Sequence, residues 1–157
     1  MKMRYEYLNH TADLKIRAYG KTLEEAFANV AIAGFGFLTD TKKIKKKIEK
    51  KISISTNRLE SLLYDFLEQL LFMLDTDGFI TAEIKDMKIT EEKTSEYSSK
   101  MNITEDKKNK KFSLQCFALG DNYQNYEVKG NIKSVTYSEM KIEKTKDGLI
   151  VEVVLDI

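Results

Sequence analysis

Asp13-Leu14-Lys15-Ile16-Arg17-Ala18-Tyr19-Gly20-Lys21-Thr22-Leu23-Glu24-Glu25-Ala26-Phe27 sets out a strand, a break and a helix start in one short stretch. Leu14, Ile16 and Ala18 alternate with Lys15 and Arg17, the period of a strand with one face buried. Gly20 ends that pattern. Thr22 followed three residues later by Glu25 reads as a capping box, with the hydroxyl placed for a backbone amide of the first turn and the carboxylate reaching back. A helix therefore begins there, and Leu23, Ala26, Phe27, Val30, Ala31 and Gly34 form one apolar stripe that fades by Leu38 to Asp40. A stripe of this kind has to cover a sheet.

The same reading extends in both directions along the chain. Ile48, Ile52 and Ile54 mark a lysine-flanked strand, and Asn57 with Glu60 offers a box-like start for a second helix. Leu59, Leu62, Leu63, Phe66, Leu67, Leu70, Met73 and Leu74 hold helical spacing until Gly78, which supplies the stop. Strands are then predicted at Phe79 to Thr90, Phe112 to Leu119, Ile132 to Ile142 and Leu149 to Leu155, the last after a Lys146-Asp147-Gly148 turn. They read as a meander. Glu91 to Lys111 is almost wholly polar, with only Tyr97, Met101 and Ile103 to bury, and is expected to be a mobile loop. The prediction is an α+β fold in one domain over residues 1–157, with two helices and about six strands.

Composition excludes more than it assigns. At 157 residues the chain can bury one core unaided, and Lys+Arg 26 against Asp+Glu 25 leaves a net charge of +1, so no overall field draws it to nucleic acid. Cys116 is the only cysteine, which removes any internal disulfide or cysteine-rich zinc site and fits a reducing compartment. No apolar run resembles a signal peptide or a membrane span, so a cytoplasmic location is expected.

Several motif echoes fail on chemistry. Gly20-Lys21-Thr22 has Lys15 where a phosphate-binding loop needs glycine, and Gly34-Phe35-Gly36 lies inside a helix. Asp75-Thr76-Asp77-Gly78 has Met73 where a calcium loop needs its first acid, so a helix end explains it better. Lys42 to Lys51 holds seven lysines in ten residues. Without aromatic residues in the run, a solvated edge that resists strand addition is favoured over RNA contact, which stays open. His10 is the only histidine, so triad catalysis would have to be built around it, and Cys116 sits mid-strand among apolar residues.

Asp13 and Asp156 are the pair with chemical interest. Parity turns both away from the apolar faces of their strands, so they share one patch if those strands are neighbours. Two unit charges ~4 Å apart repel by about 1 kcal/mol in water and about 4 kcal/mol at an effective dielectric of ~20, a cost that a divalent cation removes. Ile157 adds a carbonyl or terminal carboxylate oxygen, which suits a hard cation. Spacing alone favours two solvated aspartates at strand ends; the cation site is the alternative.

The segments Tyr5-Glu6-Tyr7-Leu8-Asn9-His10-Thr11-Ala12-Asp13 and Arg17-Ala18-Tyr19-Gly20-Lys21-Thr22-Leu23-Glu24-Glu25-Ala26-Phe27 resemble the N-terminus of the archease family. Leu38-Thr39-Asp40, Leu70 to Gly78, Val135-Thr136-Tyr137 and Val154-Leu155-Asp156-Ile157 follow its pattern in order, so that the resemblance spans Tyr5 to Ile84 and Leu114 to Ile157. Two places depart from it. Ser138 stands where the family commonly has histidine, and Asn122-Tyr123-Gln124-Asn125-Tyr126 replaces a basic or histidine-containing stretch. The segment from Glu91 to Lys111 has no counterpart and is assigned no role.

The resemblance implies an α+β fold of two helices on a mostly antiparallel sheet, built from strand-helix-strand-strand modules. It also implies a protein that is not an enzyme: a metal-binding activator of the RtcB-type RNA ligase, which joins 3′-phosphate or 2′,3′-cyclic phosphate ends to 5′-hydroxyl ends in transfer RNA splicing. The metal ligands implied are Asp13, Asp156 and Ile157, with His10 and Asp40 near the same acidic tip. The cation is calcium in a crystal and manganese or magnesium in the cell. The partner is the ligase, with tRNA contacted through it, no membrane, and a monomeric state. Two other classes compete: a general protein or RNA chaperone for tRNA-modifying enzymes, relying on the lysine run, and a free-standing metal-dependent phosphohydrolase.

Overall fold

The computed structural model describes residues 3–93 and 110–157. Its strands are β1 (Tyr5–Leu8), β2 (Leu14–Gly20), β3 (Ile48–Thr56), β4 (Phe79–Lys93), β5 (Lys110–Asn122), β6 (Ser134–Thr145) and β7 (Gly148–Asp156). Two helices, α1 (Leu23–Leu38) and α2 (Leu59–Asp77), complete the α+β fold. The strands form a four-stranded sheet in the order β1-β2-β7-β6 and a three-stranded sheet in the order β3-β5-β4, and the pairings are antiparallel.

This topology repeats itself. In β3-α2-β4-β5 the last strand lies between the first and the middle one. In β2-α1-β6-β7 the order is the same, so the first strand-helix-strand-strand module is interrupted after its helix by the whole of the second. The expected meander of the last four strands does not form, because β5 and β6 belong to different sheets. The polar stretch expected to be a mobile loop lies outside the described residues, apart from its two ends, where β4 runs on to Lys93 and β5 starts at Lys110.

Local chemistry sets the element boundaries. At the start of α1 the Glu25 amide donates to Thr22 Oγ1 at 3.1 Å, and Glu25 Oε1 accepts from the Lys21 amide at 2.6 Å. α2 starts one residue later than an Asn57 cap requires. The Thr56 hydroxyl donates to the Arg58 carbonyl at 2.7 Å, and Arg58 takes the N-cap position in extended conformation with no side-chain bond of its own. Gly78 ends α2 in the left-handed region at φ 67, where a side chain is strained, and its amide donates to the Leu74 carbonyl. Asp75-Thr76-Asp77-Gly78 is thus a helix end, with Asp77 3.5 Å from Lys50.

The helices bury their stripes between the sheets. Phe27 of α1 stacks on Phe66 of α2 with ring centres 6.4 Å apart, and both are inaccessible to solvent. Cys116 is buried in the same core, and burial pushes its thiol up to about 12. β3 is a sheet edge, as the lysine run suggested. Lys46 pairs with Glu83, Lys50 lies 5.9 Å from the Phe79 ring centre, and buried Ile44 anchors the run.

Asp121 pins that run to the rest of the fold. Its buried carboxylate accepts from the Tyr126 hydroxyl at 2.6 Å and the Asn122 amide at 2.8 Å, and Tyr126 in turn accepts from the Lys45 amide at 2.8 Å. The Tyr126 bond is the main reason its carboxyl lies below the ordinary aspartate range. A carboxyl whose folded value is depressed adds stability above its unfolded value, and that stability is lost as pH falls through the folded one. Asp121→Asn is therefore expected to lower Tm at pH 7, with the gap to wild type narrowing below about pH 4. Melts at both pH values check this, and a gap that does not change would show that the carboxylate charge is irrelevant.

Candidate metal centre at one end of the four-stranded sheet

Antiparallel pairing of β2 with β7 sets Leu14 against Leu155, Ile16 against Val153 and Ala18 against Val151. These face the core, and all are buried. The ladder ends at that first pair, and the next residues outward are Asp13, in a bend just before β2, and Asp156, the last residue of β7, both partly exposed. Asp156 also pairs with Ser134 of β6, and its carbonyl accepts from the Lys133 amide at 2.7 Å. Ile157 follows, partly buried against the core. Asp13, Asp156 and Ile157 are therefore gathered at one sheet end by strands from opposite ends of the sequence.

His10 joins them. Ala12 takes a left-handed backbone at φ 64, and across that bend His10 Nδ1 comes within 3.5 Å of Asp13 Oδ2. Asp40 has a local role. Its carboxylate accepts from the Lys42 amide at 3.1 Å and caps the short 3₁₀ turn Thr41–Lys43. Its neighbour Thr39 donates through Oγ1 to the Glu127 carbonyl at 2.8 Å, and further along that segment the Lys133 amide donates to the Asp156 carbonyl.

Beyond the tip, the outer sheet face carries an ionic row for which only part of the signal was in the sequence. Glu139 accepts from Lys15 Nζ at 2.7 Å and lies 3.2 Å from His10 Nε2. Lys15 stands 3.8 Å from Glu152, and Arg17 Nε donates to Glu152 at 2.6 Å. Arg17 reaches Glu6 at 3.9 Å, and Tyr19 bonds Glu6. The Lys15 ammonium beside Glu139, aided by His10, holds that carboxyl below the ordinary glutamate range, while Glu139 raises Lys15. Strand parity predicts that Lys15, Arg17 and Glu152 share a face. Glu139 gives no such signal, because it sits in the irregular stretch of β6 between Thr136 and Lys141 and has φ 55.

The donors suit a hard divalent cation: carboxylate oxygens of Asp13 and Asp156 and a main-chain oxygen of Ile157. His10 Nδ1 is buried beside them without a hydrogen-bond partner, so the site carries an unused donor. Among the described residues no three His, Cys, Asp or Glu side chains converge as a ready-made metal cluster. A cleft of about 660 Å³ lined by Tyr19, Gly20, Lys21, Asn29 and Leu149 lies at the far end of β2 and β7, away from these residues.

Comparison with known proteins agrees with the fold and the residue pattern. The archease protein family model matches residues 5–157. The protein archease of Methanosarcina barkeri is 39% identical over 156 residues, covering 98% of this chain and 96% of the relative. That of Pyrococcus furiosus is 38% identical over 147 residues, covering 92% of each. Among solved structures, Methanobacterium thermoautotrophicum protein 1598 superposes with a TM-score of 0.73 at 28% identity, covering 98% of this chain and 99% of its own. An archease from Thermotoga maritima, described as a possible chaperone, shares the fold with a TM-score of 0.57 at 19% identity, covering 100% of this chain and 99% of its own. With two modules in the same arrangement and sequence identity sustained along nearly its whole length, the chain belongs to the archease family.

Proposed function

We propose that this protein is a non-catalytic, metal-binding activator of an RtcB-type RNA ligase, promoting guanylylation of the ligase and its repeated turnover in cytoplasmic transfer RNA splicing. The observation that supports the reading is the Leu14–Leu155 pair at the end of the β2–β7 ladder, since Asp13 precedes the one and Asp156 and Ile157 follow the other. Asp13, Asp156 and the main-chain oxygen of Ile157 would hold one divalent cation. Such a cation neutralises phosphate charge during nucleotidyl transfer. The chain's own contribution is positional: two carboxylates next to the buried Leu14–Leu155 pair that ends the β2–β7 ladder would present an acidic tip to a nucleotide pocket.

The chemistry of the other reactive groups favours an activator over an enzyme. The Cys116 thiol is buried and pushed up to about 12, and the His10 ring is engaged by Glu139. The protein acts as a monomer on the ligase, and tRNA is met through the ligase. No helix among the described residues is long and apolar enough to cross a membrane. A chaperone role is the second reading, favoured by exposed Tyr7, Phe37 and Phe72 and by the description of the Thermotoga relative as a possible chaperone.

The deciding experiment measures ligase guanylylation and turnover with and without this protein. Stimulation by this chain, with no ligation by it alone, is the expected result. No stimulation at any ratio would remove the ligase reading. Reversing Lys43 and Lys51 to Glu is expected to change stimulation by less than about threefold, in a salt-dependent way, since edge charges act on association rate. Loss of all stimulation in that variant, measured at two salt concentrations, would favour the chaperone or RNA-binding reading.

A further inference from the structure

The cleft of about 660 Å³ lies at the end of β2 and β7 away from Asp13 and Asp156. Its size falls within the ~300–1,000 Å³ of clefts that hold small organic ligands. Met3, Tyr19, Leu149 and Ile150 supply apolar surface, while Gly20 and Gly148 line it without putting a side chain into it. The two glycines are in close contact, since a Cβ on Gly148 would sit 2.4 Å from the Gly20 carbonyl oxygen. The turn before β7 is thus pressed against the end of β2, and bare backbone forms part of the wall.

One cation of this cleft is held in place from below. Asn29 of α1 is only 6% exposed, and both ends of its amide are used: Nδ2 donates to the Tyr19 carbonyl at 2.8 Å, and Oδ1 accepts from Arg4 Nε at 3.0 Å. A buried amide costs stability unless its bonds are made, so Asn29 ties the Arg4 head group to the fold. Arg17 nearby is occupied by Glu152 and Glu6, whereas Arg4 and Lys21 form no ion pair among the described residues. Two acids of the cleft are engaged: Glu6 accepts from Tyr19, and Glu25 accepts from the Lys21 amide. The third, Asp147, sits on the turn between β6 and β7. The sheet order β1-β2-β7-β6 therefore puts two cations at one side of the cleft and a carboxylate at the other. An arginine fork takes a carboxylate through two parallel bonds. We infer that this cleft binds an organic monoanion, a carboxylate with an apolar body, its oxygens on Arg4 and Lys21 and its body across Tyr19, Leu149 and the bare glycine wall. Asn29 is the positioning residue for Arg4, and Asp147 selects against a second negative group on the ligand.

Octanoate is the probe, titrated into the full chain and followed by ¹H–¹⁵N amide shifts. Shifts at Gly20, Lys21, Gly148 and Leu149 that saturate below about 10 mM are the expected result. Octanamide, the neutral match, should bind more weakly by about tenfold or more, and so should octanoate to Arg4→Ala. Arg4→Lys keeps the charge but loses the fork and the bond to Asn29, and should cost about threefold or more, a loss that general attraction between charges does not produce. Suberate, with a second carboxylate, should bind about threefold more weakly than octanoate, and Asp147→Asn should close that gap. The inference is overturned if those amides show no saturating shift, if octanamide or Arg4→Ala binds as well as the wild-type pair, or if inorganic phosphate matches octanoate. Suberate binding as tightly as octanoate removes Asp147 from the site. The comparison of octanoate with octanamide uses the wild-type chain, so it decides the role of the charge even where a variant does not fold.

Discussion

Asp156→Asn is expected to lower stimulation of ligase guanylylation by more than about tenfold, the loss that even an outer partner of a metal ligand commonly produces. The change removes a charge at a strand end and no volume. Asp156 is partly exposed, and the bond it makes to the Lys133 amide comes from its backbone carbonyl, which asparagine retains. Tm should therefore move by little while the function collapses. Asp13→Ala should act in the same direction on cation binding, because Asp13 precedes Leu14, which pairs with Leu155 next to Asp156. Unchanged cation binding in both variants, or full stimulation by Asp156→Asn, would remove the acidic tip as the working part.

The second large effect is on stability, and its sign depends on position. Gly120 of β5 lies against β4 so closely that a Cβ would sit 1.9 Å from the Ile80 carbonyl oxygen. The obstacle is backbone and cannot rotate away. Gly120→Ala should cost as much as the top of the ~1–3 kcal/mol range for overpacking, or more. Gly34, in the middle of α1, is the contrasting case: a Cβ there meets Leu155 Cδ1 at 3.7 Å, an ordinary contact. Gly34→Ala should stabilise by about 0.5–1 kcal/mol, since alanine loses less backbone freedom in a helix. Denaturant titration of the two single variants tests the pair, and two shifts of the same sign would contradict the packing described at one of them.

Periodicity and capping made most of the fold legible. The alternation of β2, the Thr22–Glu25 box and the Gly78 stop are all local signals, and each appears where its chemistry predicts. β1 was not legible, because four residues are too few for an alternation to stand out. The split into two sheets was hidden for another reason. Strand parity says which face is buried but not which neighbour pairs, and β5 passes to another sheet through a segment without a periodic pattern. The same division runs through the site. Parity turns Asp13 and Asp156 away from the core and only the β2–β7 pairing brings their strand ends together, whereas Glu139 depends on a bulge that parity cannot describe.

The nesting of one module inside the other orders events while the chain is being made. The strand pairings of β3, β4 and β5, and the helix α2 between them, all lie between Ile48 and Asn122, so this inner unit can pair its strands before the rest has been synthesised. β1, β2 and α1 emerge first and wait, because the strand that pairs with β2 on its inner side is the last of the seven. Asp13 meets Asp156 only after that late pairing. A nascent chain therefore lacks this juxtaposition of carboxylates until β7 has been made and has paired.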